Sequence, residues 1–170
     1  MKRAAVILCM DIGLVALLIP LAIPNRVHLV YNPSDSVPRG WYRIAPADSQ
    51  HVGDIVLARL PAQAAALAAQ RGYLPVGIPL LKRIGAVTPQ RVCIDGMSVR
   101  IDDVAVATVM RADGRGRPLP TWPQCRRLAH GELFLLSNTN PASFDSRYFG
   151  PIAASSVIGS AQPLRTWGAP

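Results

Sequence analysis

The sequence predicts a mainly β domain with one short helix, carried behind a single N-terminal transmembrane helix. Three observations predict it. One apolar block, Ala4 to Pro24, holds much of the hydrophobic excess. Beyond it, short runs rich in Val, Ile and Leu alternate with Gly, Pro, Asn and Asp turns, as strands do. Only one stretch, Ala62 to Arg71, reads as a helix outside that block. The 170 residues suffice for one domain with a real core.

The apolar block comes first. About 20 apolar residues cross a bilayer at 1.5 Å rise each, and AAVILCMDIGLVALLIPLAIP has that length. Lys2 and Arg3 precede it, so the positive-inside rule keeps the N-terminus in the cytoplasm and exports the rest of the chain. Asp11 is a cost within the run, of roughly 2.5–3.5 kcal/mol at a helix centre. The run is long for a cleavable signal peptide and no clean A-x-A site comes after it, so residues 1–25 are expected as an uncleaved anchor and residues 26–170 as a periplasmic domain.

Strands come next, in order: Asp54 to Leu60, Leu80 to Val87, then a hairpin of Arg91–Ile94 and Met97–Ile101 about the Asp95-Gly96 turn. Asp102-Asp103 turns into VAVATVM. Glu132 to Ser137 reads as a buried strand, and Ser156 to Leu164 as the last. The helix starts after Pro61 and stops at Gly72. The polar Gly/Pro loop Ala112 to Pro120 is expected to be a hairpin tip.

The formal charge of +8 raises nucleic acid as a partner, but the arginines are scattered, with no basic run and no interleaved aromatics. An anionic lipid surface suits an anchored domain better. Cys9 lies in the anchor, whereas Cys93 and Cys125 fall in an oxidising compartment where they can bridge. No Cys-x-x-Cys or Cys/His cluster has metal-ligand spacing, and no cofactor motif is present.

Three stretches carry chemistry. YNPSDSVPRGWY, Tyr31 to Tyr42, is built of turn residues and holds Ser34 and Ser36. The chain has eighteen Lys+Arg, of which only Lys2 and Lys82 are lysine. Lys82 sits in LLKRIGAV, where strand alternation puts it on an apolar face with Leu80 and Ile84 and turns Arg83 the other way, towards solvent. Guanidinium stays charged, but a desolvated lysine amine can lose its proton and act as a base. A lysine snorkelling to water is the other reading left open. In SFDSRYFGPI, Asp145 and Arg147 can pair across a turn near Ser143; a surface loop with a weak ion pair is the alternative.

Behind an N-terminal anchor and in this order, the three stretches resemble the boxes of type I signal peptidases, from Asn32 to about Ile158. The single residue between Ser36 and Pro38, the string QRGYLPVGIPLLKR and GRPLPTW ahead of Cys125 resemble the TraF-type peptidases of conjugative plasmid transfer within that family. The resemblance implies a signal-peptidase-like β domain and a serine endopeptidase with Ser36 as nucleophile and Lys82 as general base. It implies Ser34 as an oxyanion donor beside the Ser36 backbone N–H, Ser143 as the residue orienting the lysine, and Asp145 as a support paired with Arg147. Pro38 and Gly40 are expected to hold the turn that presents Ser36, with the Ser36 hydroxyl and the Lys82 amine within hydrogen-bond reach. The implied partners are an exported pilin or another signal-peptide-bearing precursor, the inner membrane, and other conjugative transfer components; the location is single-pass in the inner membrane. A general leader peptidase and a non-catalytic assembly factor are the alternatives. A Ser-His-Asp triad drawing on His28, His51 or His130 is the rival chemistry, but no histidine lies in a catalytic-looking stretch.

Overall fold

The computed structural model describes residues 2–22 and 29–167. Helix α1, Lys2–Ala22, has 21 residues. The strands are β1 (Leu29–Asn32), β2 (Arg39–Ala45), β3 (Ile55–Ala58), β4 (Leu80–Val87), β5 (Arg91–Asp95), β6 (Ser98–Ile101), β7 (Val104–Thr108), β8 (Cys125–Arg127), β9 (Glu132–Leu136), β10 (Ile152–Ala153) and β11 (Val157–Trp167). Helix α2 is Ala62–Gln70 and α3 is the single turn Ser146–Phe149. The mainly β class is therefore observed, with α3 as a second short helix where a plain loop was expected.

The expected membrane anchor falls on α1. Among the described residues no helix is long and apolar enough to cross a membrane. Ile7, Leu8, Met10, Ile12, Leu14, Val15 and Leu18 of α1 are all more than half exposed.

One sheet has seven strands in the order β1-β2-β11-β3-β4-β9-β10; the other has four, β7-β6-β5-β8. A core cluster joins them, with Ala86, Phe134 and Leu136 from the large sheet against Val92, Val99 and Ile101 from the small one. Cys93 and Cys125 are direct partners of β5 and β8 and are bonded as a disulfide. A second cluster, containing Val37, Tyr42, Leu57 and Leu81, lies under the serine-bearing loop. Ile84, Leu135 and Val56 belong to a third.

The hairpin β1–β2 was not read from the sequence, although its second strand alternates cleanly. Gly40, Tyr42 and Ile44 are buried while Arg39, Trp41 and Arg43 are exposed. Pro38 and Gly40 had marked a turn there. Gly40 instead sits inside β2, paired with Asn32 and Thr166, at φ +145°. A Cβ on it would stand 2.1 Å from the Arg165 carbonyl oxygen, so only glycine lets β11 approach. The turn itself is made by residues 34–37.

Candidate active site

The chain leaves β1 at Asn32 and returns into β2 at Arg39, and the six residues between carry both serines. The side chain of Asn32, 5% exposed, organises this turn. Its Nδ2 donates to the carbonyls of Ser34 (2.9 Å), Val37 (3.0 Å) and Pro38 (3.2 Å). Its Oδ1 accepts from the Ser34 backbone N–H (3.1 Å) and from Ser34 Oγ (2.8 Å). Ser34 has one hydroxyl hydrogen, and an amide oxygen can only accept. Ser34 therefore gives that hydrogen to Asn32, and in the 2.9 Å contact between Ser34 Oγ and Ser36 Oγ it is Ser36 that donates. The backbone oxygen of Ser36 accepts from Ser137 Oγ at 2.9 Å, tying the turn to the end of β9.

Lys82 lies on β4 opposite Val56, flanked on its face by Leu80 and Ile84, as strand alternation requires. It is 2% exposed, which removes the snorkelling alternative. Burial pushes its amine down from the ordinary 10.5 to about 8; the nearby Asp145 opposes the shift and Arg147 adds to it. Its hydrogen-bond partner is Ser143 Oγ. Arg83 does not reach out to solvent as expected. It is half-buried and donates to the Gly53 carbonyl at 2.6 Å.

Asp145 and Arg147 are both 0% exposed, so the weak surface ion pair is also overturned. Their pair is two-pronged: Nε to Oδ1 at 2.7 Å and Nη2 to Oδ2 at 2.8 Å. Asp145 caps α3, accepting from the Arg147 backbone N–H at 3.2 Å, and its Oδ2 accepts from the Ser137 backbone N–H at 3.0 Å. Arg147 also donates to the carbonyls of Thr108 (2.8 Å), Pro141 (3.0 Å) and Ser143 (2.9 Å). The guanidinium thus fixes the backbone of the very residue that meets the lysine amine.

Ser34, Ser36, Lys82 and Ser143 all line one cleft of about 630 Å³, walled mainly by aliphatic and aromatic side chains. The structure brings these four together, with the Asp145–Arg147 pair behind them. It does not place a hydrogen bond between Ser36 and Lys82. The serine proton is directed to Ser34, and Ser36 Oγ otherwise lies 3.5 Å from the Leu81 carbonyl. Catalytic hydrogen bonds are often long before substrate enters and tighten in the complex. Chemically, the cleft offers a hydroxyl, a second hydroxyl beside it, and an amine readily made neutral.

Asn32 and Ser137 were not read from the sequence as site residues. Both act on backbone groups, and no spacing pattern announces that; only the strand end beside a serine loop hinted at Asn32. His51 and His130 are exposed and neither lines the cleft, and His28 lies outside the described residues. Among the described residues no group of His, Cys, Asp and Glu is disposed to hold a metal.

Known proteins similar to this chain are of one kind. A probable conjugal transfer protein TraF of Sinorhizobium fredii is 37% identical over 146 residues, covering 80% of this chain and 76% of that protein. A conjugal transfer protein TraF of Agrobacterium tumefaciens is 31% identical over 175 residues, covering 98% of this chain and 97% of its own. A crystal structure of a signal peptidase I from Enterococcus faecalis is 19% identical, with a TM-score of 0.41 over 66% of this chain and 97% of that one. The model of one peptidase family matches residues 1–167. The chain belongs to that family, the signal peptidases of peptidase family S26.

Proposed function

We propose that this chain is a membrane-anchored serine endopeptidase with a Ser36–Lys82 dyad, cutting exported precursors and, among them, the pilin precursor of a conjugative transfer system. One observation carries the reading. The lysine amine is 2% exposed, is pushed down to about 8, and shares a cleft with Ser36. Burying a lysine without a carboxylate partner costs stability, and an amine that gives up its proton more readily than an ordinary lysine is what that cost supplies. Family membership adds the peptidase class, and the TraF names of its relatives add plasmid transfer.

In this mechanism substrate displaces Ser36 from its contact with Ser34. Lys82 Nζ takes the Ser36 hydroxyl proton as Oγ bonds to the scissile carbonyl carbon. The Ser36 backbone N–H and a reoriented Ser34 hydroxyl donate to the oxyanion, and a donor of this kind typically contributes about 10²–10³ in rate. The C–N bond then breaks as the lysine ammonium returns the proton to the leaving amine, leaving an ester on Ser36. Water resolves the ester to a linear product; a substrate amine resolves it to a ring. Ser143 orients the amine, and Asp145 with Arg147 holds Ser143.

The membrane part of the proposal makes residues 1–25 the anchor and residues 26–170 a periplasmic domain. Support comes from the exposed apolar side chains of α1 and from an aromatic cluster on β1, β2 and β11. Tyr31 packs on Trp41 (centroids 5.1 Å) and near Trp167 (6.1 Å), and all three are more than 40% exposed. Aromatic side chains of this kind favour the bilayer interface. A tethered peptidase meets tethered precursors at raised effective concentration.

The test is co-expression of the pilin precursor with wild type, Ser36→Ala and Lys82→Arg, with intact masses read. Wild type is expected to process it and both variants to leave it whole, since Lys82→Arg keeps charge and removes the base. Normal processing by Lys82→Arg would make the lysine structural and end the dyad reading. A wild-type product lighter than the linear one by one water would be a ring.

A further inference from the structure

We propose that Tyr73 and Asp113 form a latch that holds the loop of residues 111–119 in place as one wall of the substrate cleft, making Tyr73 a positioning residue for substrate binding. The inference rests on the peptidase reading of the cleft.

The loop is a tight excursion from the small sheet, closed on itself by the Ala112–Pro118 bridge and by the Leu119 N–H donating to the Arg111 carbonyl at 2.9 Å. The Asp113 carboxylate organises its tip, Oδ1 accepting from the backbone N–H groups of Arg115 and Arg117, both at 2.9 Å. Internal bonds shape the tip but do not say where it stands. Three contacts with a segment some forty residues earlier do. The Tyr73 hydroxyl donates to Asp113 Oδ2, Arg71 Nη2 donates to the Pro118 carbonyl at 2.7 Å, and Arg117 Nη2 donates to the Arg71 carbonyl at 3.1 Å. Arg117 also pairs with Asp113 at 2.7 Å and lies 5.5 Å over the Tyr73 ring. The Tyr73 hydroxyl, ahead of the arginine, holds the Asp113 carboxyl below the usual carboxylate range, so the acceptor stays charged.

The earlier segment is itself rigidly delivered. Helix α2 ends at Gln70 with Arg71 as its C-cap, Gly72 takes φ +71°, and the Tyr73 N–H returns to the Ala68 carbonyl at 2.8 Å. Both partners of the latch face the cleft: Tyr73, Leu74 and Pro75 line it from one side of the contact, and Asp113, Gly114 and Leu119 from the other. The Tyr73 ring also packs on Phe144 at 5.4 Å, next in sequence to Ser143. Removing the hydroxyl alone therefore loosens the wall at one of its three contacts while leaving the ring against the catalytic side.

Tyr73→Phe and Asp113→Asn in the full chain separate the latch from general folding. Losing one hydrogen bond to a charged group is expected to raise KM for the precursor roughly tenfold, with kcat and the pH midpoint of processing unchanged. Amide exchange over residues 111–119 is expected to quicken about tenfold in the same variants, while exchange in β4 and β9 stays as in wild type. Unchanged KM in an active enzyme, or unchanged exchange in that loop, overturns the latch. The exchange measurement needs no turnover, so it decides the latch even where processing fails. Processing by a Ser36→Ala control would sink the peptidase reading and leave the exchange result standing.

Discussion

Two buried cations, Lys82 and Arg147, both contact Ser143 and are treated in opposite ways. Arg147 is fully enclosed, doubly bonded to Asp145 and given three further carbonyl acceptors at 3.0 Å or less. Burial penalises its charge, yet the Asp145 pair outweighs this and leaves its pKa raised. Lys82 is nearly as enclosed and, among the described residues, faces no carboxylate at bonding distance and is given one hydroxyl. A charge that must stay is surrounded by acceptors; a charge that must leave is starved of them. The first arrangement builds the second, because Arg147 holds the Ser143 carbonyl while Ser143 Oγ meets the amine.

Breaking the well-paired side gives the largest effect. Arg147→Met leaves the Asp145 carboxylate buried without its cation, which costs about 3–5 kcal/mol. At this domain size that is a fall in Tm of about 10 °C. Calorimetry reads it, and a fall of a degree or two would mean the carboxylate finds water or another donor. Adding Asp145→Leu to the same chain is expected to recover part of the loss, since the orphaned charge and not the missing pair carries the cost.

The starved side should respond with the opposite sign. Lys82→Met removes a cation that the fold solvates poorly, and is expected to stabilise the domain at pH 7 by about 1–3 kcal/mol while abolishing processing. The pH dependence obeys the same logic. The folded pKa of about 8 lies below the ordinary 10.5. Below pH 8 both folded and unfolded chains hold the proton, and the folded one bears the burial cost in full. Between 8 and 10.5 the unfolded chain holds a proton the folded one has released, so stability rises with pH across that window. Urea unfolding of wild type and Lys82→Met at pH 7 and pH 9.5 checks both points. A wild-type stability that falls across this window, once the Met variant's own change is subtracted, would refute the neutral amine.

The same contrast explains what the sequence made readable. Lys82 stood out because lysine is rare in this chain and its strand is apolar on the facing side, and period-2 alternation places it correctly. Strands β4, β5, β6 and β9 and helix α2 were legible for the same reason: local pattern and packing agree. Arg147 was legible only as a neighbour of Asp145, because its value lies in carbonyls from Thr108 to Ser143 that no pattern records. Asn32 and Ser137 were hidden in the same way. Ser137 reaches the Ser36 carbonyl across 101 residues of sequence. The hairpin β1–β2 was hidden by Pro38 and Gly40, turn residues that here serve a strand entry and a close approach to β11.

The smallest effect tests the link between the two cations. Ser143→Ala leaves the Arg147 contacts intact, because those go to the Ser143 backbone. It removes the hydroxyl that, among the described residues, is the one hydrogen-bond partner of the Lys82 amine. With burial unchanged, the ammonium form loses support, so the amine's pKa is expected to move further down from about 8, by about half a unit to one unit. More of the amine is then neutral at pH 7, which on its own would raise the rate. The amine also loses the contact that aims it, which lowers kcat at every pH. The expected profile is therefore an acid limb displaced to lower pH beneath a plateau reduced about tenfold. A reduced plateau with the limb unmoved would mean Ser143 aims the amine without supporting its charge. A limb displaced to higher pH would mean that a new acceptor, not burial, governs the lysine, and the contrast between the two cations would not hold.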